Sequence, residues 1–145
     1  LITGLSLSTI AHSTEDQSKV RAALLNLVPA ELRVLHVSSA EAEGHHGNPI
    51  VLLSLEIRDR DAAKDAVDYL LRLLPVSDRL RIRDNIDRLY DGRSAVFLRI
   101  DKQTAFLNEP RLSDSDDVVK VKVSLSIKKE DIAAVLCDLG LGLCL

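Results

Sequence analysis

Apolar and polar positions alternate most cleanly over Val119–Ile127, where every odd position is apolar and every even position is Lys or Ser. That period of two predicts a strand with one buried face and one face open to water or a partner. Leu5, Leu7, Thr9 and Ala11 alternate with Ser6, Ser8, Ile10 and His12, predicting a first strand over Leu5–Ala11. Val51, Leu53, Leu55 and Ile57 define the inner face of another strand, with Ser54, Glu56 and Arg58 opposite. Val96, Leu98 and Ile100 do the same against Phe97, Arg99 and Asp101. A weaker alternation over Val34–Ala42 supplies the second strand, joined to the third by a short turn, so these two are expected to form a hairpin.

Between the strands the period lengthens to that of helices. Val20, Ala23, Leu24, Leu27 and Val28 line one helical face, and Pro29 stops it. Thr14 and Gln17 have the spacing of a capping box at its start, and Glu15 and Asp16 suit the positive end of the helix dipole. Ala63, Ala66, Val67, Leu70, Leu71 and Leu74 mark the strongest helix, which opens at Asp59-Arg60-Asp61 and ends at Pro75. A third helix is capped by Ser77 and buries Ile82, Ile86, Leu89 and Tyr90; the mixed charges around it read as a solvated face. A last helix is expected over Lys129–Leu139, followed by an apolar, glycine-broken tail at about 140–145. The order β-α-β-β-α-α-β-β-α defines a single α+β domain over 1–145: a mostly antiparallel sheet with helices packed on one face. The other face is expected to carry Ser6, Ser8, Glu56, Phe97, Arg99, Lys120, Lys122 and Ser124.

Composition narrows the function. The 145 residues are 46% hydrophobic and 28% charged, ordinary for a globular domain. No apolar run is long enough to span a membrane, and a cytoplasmic location is expected. The chain opens at Leu1 and contains no Met, which reads as a native start that is missing or removed. Cys137 and Cys144 fit neither a zinc knuckle nor a disulfide framework, so free thiols are expected. Net charge is −3, which offers no general attraction to nucleic acid. The charge is nevertheless uneven. Arg93–Lys129 holds eight basic residues and five acids, so the basic excess lies on the last two strands and the remainder is acidic. Basic side chains on an open sheet are a plausible phosphate footprint; equally, lysines on a strand face discourage edge pairing. Aromatics are only 3% of the chain, so an extended base-stacking platform is poorly supplied.

Candidate chemistry concentrates in two places. The first is Glu43-Gly44-His45-His46-Gly47-Asn48-Pro49-Ile50, a glycine-shaped turn that presents imidazoles and an amide. The second is Asp101-Lys102-Gln103, where Lys102 can bind phosphate as a point charge and Gln103 can hydrogen-bond a base or ribose. The alternatives are a polar hairpin loop and a bend stabilised by Asp101. No metal centre, cofactor or catalytic role is assigned. His45 and His46 are adjacent and face opposite ways in extended backbone, and no nucleophile elbow, phosphate loop or dinucleotide fingerprint occurs.

Together, His12-Ser13-Thr14-Glu15-Asp16, the run Glu43–Ile50 and Phe97-Leu98-Arg99-Ile100-Asp101-Lys102-Gln103-Thr104-Ala105 resemble the archaeal RNA-binding family described as predicted exosome subunits. The resemblance extends to about Ile127. It implies a fold similar to the ribosomal large-subunit protein that holds the smallest ribosomal RNA, with a suggested relation to double-stranded-RNA-binding domains. It also implies a non-catalytic RNA-binding protein linked to RNA processing. On that reading Arg99, Lys102, Lys120 and Lys122 contact phosphates, while His45, His46, Asn48 and Gln103 read ribose or base edges of structured or double-stranded RNA. The alternatives are a protein–protein adaptor or homodimer using the open sheet and the Leu-rich tail, and, ranked last, a small hydrolase using His45 and His46.

Overall fold

The computed structural model describes residues 2–126 and 132–141. Five strands form one antiparallel sheet in the order β2-β3-β1-β5-β4. They are β1 (Ile2–His12), β2 (Ser38–Glu43), β3 (Pro49–Ile57), β4 (Ala95–Asp101) and β5 (Val118–Leu125). The helices are α1 (Gln17–Leu25), α2 (Arg60–Leu73), α3 (Val76–Asp84), α4 (Ile86–Leu89), α5 (Lys102–Phe106) and α6 (Ile132–Asp138). β1 is central, flanked by β3 and β5, and it contributes Leu5, Leu7 and Ala11 to the core. The buried layer continues through Leu53, Leu55 and Ile57 on β3, Val121 and Val123 on β5, and Leu98 and Ile100 on β4. Val20, Ala23 and Leu24 of α1, and Ala66, Val67 and Leu70 of α2, close it from above. The period-two and period-3.6 patterns therefore meet at one apolar layer, as the alternation predicts.

The boundaries differ from expectation at four points, each for a local reason. Asp16, not Thr14, caps α1: its carboxylate accepts from the Ser18 N–H at 2.9 Å and the Ser18 hydroxyl at 2.6 Å. The second strand begins only at Ser38, because Ala30–Leu32 form a 3-10 turn that leaves Val34 exposed. The third helix starts directly after Pro75 with no side-chain cap, and it breaks at Asn85, whose side-chain amide donates back to the Arg81 carbonyl at 2.8 Å. The chain therefore continues as the separate turn α4. The bend after β4 is a short helix: Asp101 accepts from the Thr104 N–H at 2.9 Å and starts α5.

Cys137 is disulfide-bonded, which corrects the free-thiol expectation for it. The two cysteines lie seven residues apart, and that spacing has no framework signature to read. Cys144, Lys129 and most of the apolar tail fall outside the described residues. Gly140 adopts φ +71 just past α6, and Leu141 packs against the core.

Candidate nucleic-acid interface

The face of the sheet turned away from the helices is open. Residues directly opposite on antiparallel strands share a face, so the register arranges it in rows. One row runs Glu56, Ser6, Lys122, Phe97; the next runs Ser54, Ser8, Lys120, Arg99. Polarity thus changes across the sheet. The β4–β5 side is basic, the centre carries serine hydroxyls, and the β3 side carries Glu56 and the exposed Leu52.

Lys120 and Lys122 are exposed, and among the described residues neither has an ion-pair or hydrogen-bond partner. The hydroxyls of Ser6 and Ser8 likewise have no protein partner among the described residues. Arg99 is steadied rather than neutralised: its Nη2 donates to the Ser115 carbonyl at 2.6 Å and lies 3.7 Å from the fully exposed Asp116. These side chains line a groove of ≈ 620 Å³. Its far wall comes from α3 and α4, where Arg81 and Arg88 join the same lining. Arg88 donates to the Asn85 side-chain oxygen at 2.9 Å, and Arg81 lies 3.7 Å from both Asp78 and Asp114. The bridge between Tyr90 and Val96 brings this wall to the edge of β4. Nothing in the local spacing of Arg81 and Arg88 distinguishes them from other charges on a solvated helix, so only the packing reveals their position.

Asp91 holds the entry to β4. Its carboxylate accepts from the N–H groups of Arg93, Ser94 and Ala95 at 2.8, 2.9 and 3.1 Å. Those bonds hold its carboxyl below the ordinary carboxylate range.

Lys102 does not join this face. It is 3% exposed, and its ammonium donates to the Ile10 carbonyl at 2.7 Å and to Glu15 at 3.0 Å, with Asp117 at 2.8 Å. Three acceptors use up the three donors of a lysine ammonium. Gln103 is also engaged, donating to Asp117 at 3.1 Å. Burial pushes the Asp117 carboxyl up, but the bonds from Lys102 and Gln103 and the nearby positive charge outweigh it, and the net direction is down. Glu15 additionally accepts from the His12 N–H at 3.0 Å. The motifs around His12–Asp16 and Asp101–Gln103, distant in sequence, are thus joined into one ionic knot at the end of the sheet. A sequence reading sees each charge but not their convergence.

His45 and His46 stand at the tip of the β2–β3 hairpin, their rings edge-on at 5.6 Å. The turn is closed by Gly47 N–H to the Gly44 carbonyl at 3.0 Å and Gly44 N–H to the Asn48 carbonyl at 2.6 Å, with Gly47 at φ +76. The hairpin belongs to the sheet edge opposite β4. From strand spacings and residue rises, its tip lies roughly 20 Å from Lys120. The candidate residues therefore divide into a basic groove (Arg99, Lys120, Lys122), an internal knot (Lys102, Gln103) and an outlying hairpin tip (His45, His46, Asn48).

An open antiparallel sheet, covered by helices on one side and bearing a basic groove on the other, places the protein among two-layer α+β folds. The chain belongs to the family described as RNA binding, whose model matches residues 4–125. A Pyrococcus abyssi relative named as an RNA-binding protein is 31% identical over 133 residues, covering 88% of this chain and 86% of its own. The crystal structure of a DUF54 protein from Archaeoglobus fulgidus superposes with a TM-score of 0.83 at 31% identity, covering 96% of this chain and 99% of that one. A DUF54 protein from Methanothermobacter thermautotrophicus has a TM-score of 0.74 at 25% identity, covering 95% and 98%.

Proposed function

We propose that this chain is a non-catalytic RNA-binding module that docks structured RNA on the open β1-β5-β4 face. The observation that carries the reading is the pair of lysines, Lys120 and Lys122, without a partner among the described residues, at the centre of a basic groove on a chain of net charge −3. A protein with overall negative charge gains little from long-range attraction, so RNA must be held by charges that have no competing partner. Arg99 and the wall residues Arg81 and Arg88 add planar donors at the rim, although Arg99 and Arg81 must share theirs with Asp116, Asp78 and Asp114. The serines supply hydroxyls for ribose. Lys102 and Gln103 act behind the site by holding the ends of β1, β4 and β5 together. The tip carrying His45, His46 and Asn48 is a second contact, reached only by an RNA long enough to cross the sheet. Membership of an RNA-processing assembly such as the exosome, and a fold kinship with the ribosomal protein named above, are part of the same proposal; the three motifs support them.

The test is a titration of a structured RNA at several salt concentrations. Lys120→Ala with Lys122→Ala is expected to weaken binding and to flatten the salt dependence by about 0.7–0.9 for each phosphate that is no longer neutralised. Unchanged affinity and slope in the double variant would remove this face as the footprint.

One observation favours a second reading. Ala40, Leu52 and Ile10 form an apolar row beside the free edge of β2, a surface suited to pairing two copies. Light scattering after size exclusion decides it: a monomer at all concentrations excludes the homodimer.

A further inference from the structure

Phe97 stands out on the basic face. It sits on β4 directly opposite Lys122 and is 45% exposed, although it is the largest apolar side chain on that surface. Its neighbour along the strand on the same face is Arg99, itself opposite Lys120. Among the described residues its ring has neither an aromatic nor a cationic partner. A phenylalanine flanked in the sheet register by Lys122 and Arg99 presents an exposed π-face beside two groups able to bind phosphate. A paired duplex hides its bases in the stack and has no π-face to offer such a ring. An unpaired nucleotide does, and base–aromatic stacking is tolerant of base identity because every base has such a face. The groove holds one such ring, since Phe106 lies on α5 and Tyr90 is buried in the core.

We propose that Phe97 is a stacking subsite for a single unpaired nucleobase. The protein would then prefer RNA helices interrupted by a bulge or flanked by a single-stranded nucleotide over uninterrupted duplex. The inference rests on the RNA-binding reading above. Lys122 and Arg99 hold the phosphates on either side of the extruded nucleotide, and the ring takes the base.

The experiment compares two hairpins of one sequence, one fully paired and one with a single bulged 2-aminopurine. The wild-type protein is expected to bind the bulged hairpin about tenfold more tightly, a factor within the range of one stacked base, and to change the 2-aminopurine fluorescence as the base leaves the RNA stack. Phe97→Ala should abolish both the preference and the fluorescence change while leaving the salt slope unchanged. Phe97→Tyr should retain both. Lys120→Ala, which spares Lys122, should weaken both hairpins and flatten the slope while keeping the preference. Because Phe97 is exposed, Phe97→Ala is expected to fold, and circular dichroism checks this. Equal affinity of the wild type for the two hairpins, or a preference that survives Phe97→Ala, overturns the stacking subsite and leaves phosphate docking standing. Failure of the wild type to bind either hairpin overturns both.

Discussion

At the scale of single residues, Lys102 shows how misleading an isolated charge can be. Placed just after a strand and beside a glutamine, it has the appearance of a phosphate ligand. Its ammonium instead closes an internal contact with Ile10, Glu15 and Asp117. Replacing it with methionine keeps the stem but leaves two carboxylates facing each other without their cation. We expect Lys102→Met to lower stability by about 2 kcal/mol, below the value for a fully buried pair because both acids retain partial access to water. Urea denaturation measures it. The same knot predicts a pH dependence. Asp117 is held below its ordinary value in the folded state, so it contributes stability above the unfolded carboxylate range. That contribution is lost as pH falls through the depressed folded value. Comparing acid unfolding of wild type and Asp117→Asn checks the sign: the variant should be less stable at neutral pH, with the gap closing in acid.

At the scale of elements, the helices and strands are largely legible from periodicity, because each buries one face against one layer. α2 is the clearest case. Asp59 caps it by accepting from the Ala62 N–H at 2.9 Å, and its apolar stripe is the one read from spacing. Leu70→Ala is expected to cost about 3 kcal/mol, the usual range for a buried leucine. Asp59→Ala should cost about 1 kcal/mol through loss of the cap. Leu80, exposed on α3, should tolerate alanine within about 0.5 kcal/mol. Thermal unfolding ranks the three. What periodicity missed were ends and breaks. The choice between Thr14 and Asp16 as cap, and the break at Asn85, depend on which side-chain hydrogen bond forms, and several neighbouring residues are chemically able to form one.

At the scale of the whole molecule, charge is segregated: a negative chain exposes a bare pair of lysines on one face. Salt dependence is therefore expected to follow that face and not the net charge. Reversing Lys120 and Lys122 to Glu should abolish RNA binding at physiological salt without unfolding the protein, as filter binding and circular dichroism together would show. Alanine at both His45 and His46 should leave a short hairpin RNA bound normally and weaken only longer RNAs. Equal loss on short and long RNA would show that hairpin and groove form one contact surface.

The alternation of apolar and polar residues by itself determined the α+β class, the inner faces of β1, β3, β4 and β5, and which residues of β4 and β5 face water. This information is local, because a side chain's face follows from its parity along the strand. Tertiary structure alone decided which exposed groups are neighbours. Strand order put the central strand β1 between the histidine hairpin of β2–β3 and the lysines of β5, packing brought Arg81 and Arg88 to the groove, and long-range convergence buried Lys102. The physical reason is that a charge's availability depends on partners distant in sequence, and no local pattern records them.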